Sequence, residues 1–187
     1  MAIKSFSSGE ILTASDTNSY LNNGGLVYIS GGTLSGAATN FASVFNSTYR
    51  DYRVVLTGSL SAATDFCVQF LVGTTPTTTS YWYAYTGLSG GNAAANQNGQ
   101  NTNPCRTGAS ATGAGDTFSL SMDVFAPNIA SVTYFTAQSS NQQSDDFRAR
   151  SGAGSCNVST QFDGIRFLSA GGQTISGTVK IYGYRQP

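Results

Sequence analysis

From about Leu26 onward, short runs of alternating apolar and polar residues are separated by Gly, Ser, Asn and Thr. Alternation with a period of two marks a β-strand with one buried face. The run DFCVQFLV puts Phe66, Val68, Phe70 and Val72 on one face and Cys67, Gln69 and Leu71 on the other. TFSLSMDVF sets Phe118, Leu120, Met122 and Val124 against Ser119, Ser121 and Asp123, and QTISGTVKIYGY sets Ile175, Val179 and Ile181 against Thr178, Lys180 and Tyr182. Further strands are expected at LVYIS, from Tyr52 to Leu60, at SYWYAY, SVTYFTAQ and CNVSTQF, and at FDGIRF, where Asp163-Gly164 suits a tight hairpin turn. Roughly eight to ten short strands with wet outer faces predict antiparallel sheets packed as a β-sandwich of jelly-roll-like, all-β type.

Two stretches break the rhythm. Residues 87–116 carry almost no large side chain and read as a long loop, and residues 138–155 read as a shorter insertion. The opening, FSSGEILTASDTNSYLNN, does not alternate at all. Thr13 followed by Asp16 fits a capping box, with Leu12 in the preceding position, and predicts a helix from Ala14 to about Leu21 that stops at Asn22-Asn23-Gly24-Gly25. So short a helix is not stable alone in water and must dock, on its own domain or on another chain. The expected organisation is a helical or extended leader over residues 1–25 and a β-sandwich domain over residues 26–187.

Composition narrows the chemistry. Nine Lys plus Arg balance nine Asp plus Glu, so no excess positive charge exists to neutralise phosphates, and nucleic-acid binding is not expected. Charged residues make up only 10% of the chain while aromatics make up 12%, which describes a folded domain with a neutral Ser/Thr/Asn/Gly surface. No apolar run approaches the ~18 residues that a membrane span requires, and Met1-Ala2-Ile3-Lys4 leads into polar residues rather than a signal-peptide core. Cys67, Cys105 and Cys156 form no CxxC pair and there is no histidine, so neither a zinc site nor another metal or cofactor is expected, and the thiols read as reduced, with one disulfide plus a spare thiol as the alternative.

The absence of histidine also removes the commonest general base. A glycosidase would need only two carboxylates, but each candidate has a plainer role. Asp163 belongs to a turn, Asp65 and Asp116 to strand starts, and Asp123 to a solvated parity; Asp145-Asp146, beside Arg148 and Arg150, reads as a mixed-charge loop. No catalytic residue is assigned. In SYWYAY, Tyr81, Tyr83 and Tyr85 share one face and Trp82 takes the other. One row is suited to stacking on sugar rings; alternatively one row fills the core and the other meets a neighbouring subunit. Asn46-Ser47-Thr48 and Asn157-Val158-Ser159 are formal N-glycosylation sequons.

The leader resembles one that opens many tailed-bacteriophage virion proteins, through Phe6, Gly9, Ile11, Leu12, Thr13, Ala14, Asp16, Asn18, Tyr20 and Leu21. FASVFNSTYRDYRVVLTG is similar to a recurrent phage pattern, and FDGIRFLSAGGQTISGTVKIYGYR to the last hairpin of such proteins, closing on Tyr-Gly-Tyr-Arg. The resemblance covers residues 1–25, about 40–73 and 162–185. It implies a virion protein, made in the bacterial host cytoplasm, whose leader (Phe6, Ile11, Leu12, Asp16, Asn18, Tyr20, Leu21) attaches it to other virion proteins. Two roles follow: a tail- or fibre-associated subunit able to touch a host-surface glycan, or a capsid decoration protein clamping neighbouring capsomers. Either would self-associate, as a homotrimer that hides sheet edges.

Overall fold

A computed structural model describes residues 7–11, 13, 25–91, 93–143 and 146–185. Thirteen strands account for most of them. The first seven are β1 (Leu26–Leu34), β2 (Ala38–Phe41), β3 (Asp51–Leu60), β4 (Thr64–Val72), β5 (Thr75–Pro76), β6 (Tyr81–Ser89) and β7 (Gln97–Thr102). The remainder are β8 (Cys105–Ala111), β9 (Thr117–Phe125), β10 (Ser131–Gln143), β11 (Asp146–Thr160), β12 (Gly164–Ser169) and β13 (Ile175–Tyr184). Among the described residues there is no helix, and the helix expected at Ala14–Leu21 lies outside them.

Every pairing is antiparallel. An eight-stranded sheet runs β1-β13-β3-β9-β10-β11-β6-β7, and a five-stranded sheet runs β2-β12-β4-β5 with β8 also on β4. The chain passes repeatedly between them, and their inner faces close on one core, as expected of a jelly-roll-like sandwich. Phe66 lies 4.7 Å from Phe118 and Phe70 lies 6.1 Å from Phe135, ring centre to ring centre, across the interface between the sheets. Tyr81 pins them together: its Oη accepts the Phe70 N–H at 2.7 Å and donates to the Thr77 carbonyl at 3.2 Å.

Alternation placed the core correctly on β9 and β13, where Phe118, Leu120, Met122, Val124, Ile175, Val179 and Ile181 are all buried. On β4 the expectation holds for Phe66, Val68 and Phe70, but Cys67, Gln69 and Leu71 are buried too and Val72 is 49% exposed. β4 lies inside the smaller sheet, and the β7–β8 connection folds over its other face, where Gln69 Nε2 donates to Asn103 Oδ1 at 2.6 Å.

Several expectations are corrected. The long loop at 87–116 contains β7 and β8, and residues 138–143 and 146–155 belong to the β10–β11 ladder, which runs from Ser131 opposite Thr160 to Gln143 opposite Asp146. These strands are built from Gly, Ser, Asn and Gln, so they carry no apolar alternation. Instead, glycines face large rings: a Cβ on Gly152 would stand 2.7 Å from Tyr85 Cδ1, and one on Gly154 would collide with Phe135. Arg150 belongs to the core rather than a charged loop; its Nε donates to the Ala95 carbonyl and its Nη1 to the Gly108 carbonyl, both at 2.7 Å. β12 and β13 sit in different sheets, so the closing segment is a crossover and not a hairpin. Asp163 makes no hairpin turn; its carboxylate accepts the Gly73 N–H at 2.9 and 3.0 Å, fixing the turn after β4.

Candidate functional site

The outer face of the eight-stranded sheet is the broad open surface of the molecule. Outward positions on its middle strands are small: Ser119 and Ser121 on β9, Ser140 on β10, and Ala149, Ser151 and Ala153 on β11. Short side chains leave the backbone as a floor between taller neighbours such as Val55, Leu88, Trp82 and Tyr134. Hollows of about 660, 670, 520 and 300 Å³ open along this face.

The hollow of about 300 Å³ holds the charged group of the face. Arg53 Nη1 donates to both Asp123 oxygens at 3.4 Å and to Tyr184 Oη at 3.3 Å, and its Nη2 donates to Ser121 Oγ at 2.7 Å. Tyr184 Oη in turn donates to Asp123 Oδ1 at 2.7 Å. The Tyr184 hydrogen bond, more than the Asp123 charge, pushes Arg53 up from its ordinary value. Desolvation, with the Asp123 hydrogen bond behind it, raises Tyr184. Asp123 lies on the outer face as its parity required, in a closed network that fixes β13, β3 and β9 to one another.

The aromatic feature of this face is the hollow of about 520 Å³. Tyr134 on β10 stands opposite Ser155 on β11, and Ser155 stands opposite Trp82 on β6. Two exposed rings, 57% and 40% accessible, therefore flank a gap one strand wide. Ser155, its Oγ donating to Asn157 Oδ1 at 2.7 Å, and the small residues Ala153 and Ala84 line the bottom. Asn98 and Gln100 of β7 close one side, and among the described residues no charged one lines the hollow.

Of the sequence candidates, Trp82 is exposed on this surface, and Tyr83, though buried, also lines the hollow. Tyr81, Tyr83 and Tyr85 are buried in the core, and burial pushes the Tyr81 and Tyr85 phenols far up. Among the leader candidates, Ile11 is 81% exposed, beside a turn in which Glu10 N–H donates to the Ser7 carbonyl at 3.0 Å. Phe6, Leu12, Asp16, Asn18, Tyr20 and Leu21 lie outside the described residues. Tyr134, Asn98 and Gln100 escaped sequence reasoning. Tyr134 had a signal: it shares its parity with Thr136 and Gln138, so it had to face outward with them.

Each described carboxylate serves the fold. Asp65 pairs with Arg106 at 3.1 Å and accepts Gln97 Nε2 at 2.7 Å, while Asp116 accepts the Thr112 and Gly113 N–H groups at 2.8 and 3.0 Å. Asp51 accepts the Ala126 N–H at 3.0 Å, and Glu10 the Ser7 N–H at 3.1 Å. Asp146 accepts the Gly90 N–H at 2.8 Å and pairs with Arg148 at 3.1 Å, and the Gly90 bond leads in holding it below the usual carboxylate range. Among the described residues no group of three His, Cys, Asp or Glu side chains is placed to hold a metal ion, and no helix is long and apolar enough to cross a membrane. Cys67, Cys105 and Cys156 are free and buried. No protein-family model matches the chain, and no curated protein matches it.

Proposed function

We propose that this chain is a non-enzymatic structural subunit of a tailed-phage virion, tail- or fibre-associated. In this reading the leader attaches it to other virion proteins, and the β domain is turned toward the host surface. The observation that carries the proposal is the placement of the two ends of the large sheet. The leader enters the domain at Gly25, whose carbonyl accepts the Arg185 N–H at 2.9 Å, and β1 forms one edge of the sheet. The Trp82–Tyr134 hollow lies toward the opposite edge. From β1 to β6 is six strand spacings, roughly 30 Å along the sheet. A tether at one edge leaves the other edge free to meet something else.

The structural employment of every described carboxylate favours a surface that binds rather than one that turns over a substrate. Self-association as a homotrimer would cover the edge strands, which otherwise present unpaired backbone groups. A second reading, a capsid decoration protein, draws support from the apolar side chains exposed on β1, Leu26 and Tyr28, which suit a clamp against a neighbour. Copy number separates the two: a decoration protein accompanies every capsomer, whereas a fibre subunit is present in few copies per particle.

The test is deletion of residues 1–23, which stops short of β1 and leaves its pairing with β13 intact. The truncated chain is expected to fold and to be missing from purified particles by quantitative mass spectrometry. Incorporation at the full-length level would overturn the tether.

A further inference from the structure

We propose that the slot between Trp82 and Tyr134 is a binding site for a neutral pyranose, the sugar ring lying edge-on between the two aromatic faces. This deepens the adhesin reading and rests on it for its biological setting, but the chemistry stands on the slot itself.

The first argument is spacing. Tyr134, Ser155 and Trp82 occupy one cross-strand row on three adjacent strands, so the two aromatic residues are two strand spacings apart, about 9–10 Å at the backbone. A sugar ring held by van der Waals contact on both faces needs its flanking rings about 7–8 Å apart. The residue between them is Ser155, short enough to leave that space open, and Ala153 on the same strand keeps the floor low. A Leu or Phe at either place would fill the slot.

The second argument is the chemistry of the lining. An aromatic face suits the C–H face of a sugar, while hydroxyls at the ring edge need donors and acceptors together. Asn98 and Gln100 supply both from β7, and both are exposed. Among the described residues no charged side chain lines the slot, which disfavours phosphorylated, sulfated or acidic sugars and selects neutral ones. The volume, about 520 Å³, is in the range of small-ligand sites and takes one or two sugar units. The two larger hollows on the same face lack this arrangement; Ser and Thr are the commonest residues of their linings, and the exposed apolar side chains are Val55 and Leu88 in one and Phe147 in the other, with no pair of exposed rings across either.

The third point makes the site testable without knowing the host. Trp82 is the sole tryptophan of the chain, so indole fluorescence reports this slot alone. The full-length protein is titrated with maltose, cellobiose, lactose and N,N′-diacetylchitobiose, with glucose 6-phosphate as the charged control. At least one neutral disaccharide is expected to shift Trp82 emission saturably, with half-saturation of about 1 mM, the strength of a shallow two-ring site. Tyr134→Ala is expected to weaken binding about 10-fold or more, Tyr134→Phe to stay within about 2-fold, and Ala153→Leu to abolish the response. Both positions face solvent, and circular dichroism confirms that each variant has folded.

The proposal is overturned if no neutral disaccharide changes the emission, or if Tyr134→Ala and Ala153→Leu titrate as the parent does. It is also overturned if emission follows protein concentration instead of sugar, because a second copy would then occupy the slot. The virion reading fails separately, by absence of the chain from purified particles, and such a failure leaves a positive titration standing.

Discussion

On β13, β3 and β9 the inward positions are held by Ile175, Val179, Ile181, Val54, Leu56, Leu120 and Met122. On β10, β11 and β6 the corresponding positions are Phe135, Ala137 and Asn141, then Arg150, Gly152 and Gly154, then Tyr81, Tyr83 and Tyr85. The first region fills most of its space with aliphatic side chains, with Tyr52 on β3 and Phe118 on β9 as its buried rings and one glycine, Gly58, set against Phe118. The second fills the same depth by setting large rings on β6 against glycines on β11. An aliphatic face tolerates repacking, whereas a ring-against-glycine face has its volume fixed in both directions. The difference shows outside as well: the small-residue strands, seen from solvent, are the floor of the Trp82–Tyr134 slot.

The contrast is broken or sharpened by paired substitutions. Leu120→Ala in the aliphatic region removes buried volume and is expected to cost about 3 kcal/mol in chemical denaturation. Gly152→Ala adds one methyl group in the other region and is expected to cost about 2 kcal/mol, because its Cβ would collide with the Ala84 carbonyl oxygen and meet the Tyr85 Cα and Cδ1 at 2.7 Å. If Gly152→Ala proves neutral, the two regions pack alike.

Alkali distinguishes them next. Burial raises the thiols of Cys67, Cys105 and Cys156, the last to about 11, against an ordinary 9.0. A raised folded-state value means that the unfolded chain ionises first. The stability tied to the protonated thiols is therefore complete below 9.0 and is lost as pH rises from there, for Cys156 through about 11. Between about pH 7.5 and pH 10 each thiol is expected to withdraw about 1 kcal/mol, read from guanidinium midpoints. A Cys156→Ser variant should flatten that slope, since Cys156 sits beside Tyr81 on the aromatic side.

The smallest effect has the opposite sign. Tyr85 Oη is buried and has no hydrogen-bond partner among the described residues. Tyr85→Phe is therefore expected to leave stability unchanged or to raise it by up to about 1 kcal/mol. A clear loss of stability would mean that the hydroxyl has a partner after all.

How far the fold could be read in advance follows the same division. Where burial is decided by a strand's own apolar side chains, as at Phe118 to Val124 or Ile175 to Ile181, a period of two is enough. β8 and β11 are covered by what stands opposite them, β7 is a polar edge strand, and Gly152 or Gly154 gives no hint of Tyr85 or Phe135. A loop was therefore the natural reading of residues 87–116, and an insertion that of residues 138–155. The crossover between β12 and β13 was hidden for another reason: Asp163-Gly164 is a good turn pair locally, but sheet membership is decided by partners far away in sequence. For the candidate site, Trp82 could be found from its parity. Its companion Tyr134 needed the register of β10 on β11 and β11 on β6, which only the folded chain supplies.

The most direct measurement is a density map of the assembled particle with this chain placed in it. The virion proposal expects residues 1–23 and the β1 edge to lie against neighbouring proteins of the particle, with Trp82 and Tyr134 turned to solvent. A chain whose slot is packed against a neighbouring subunit while its leader hangs free would contradict both the tether and the outward-facing surface.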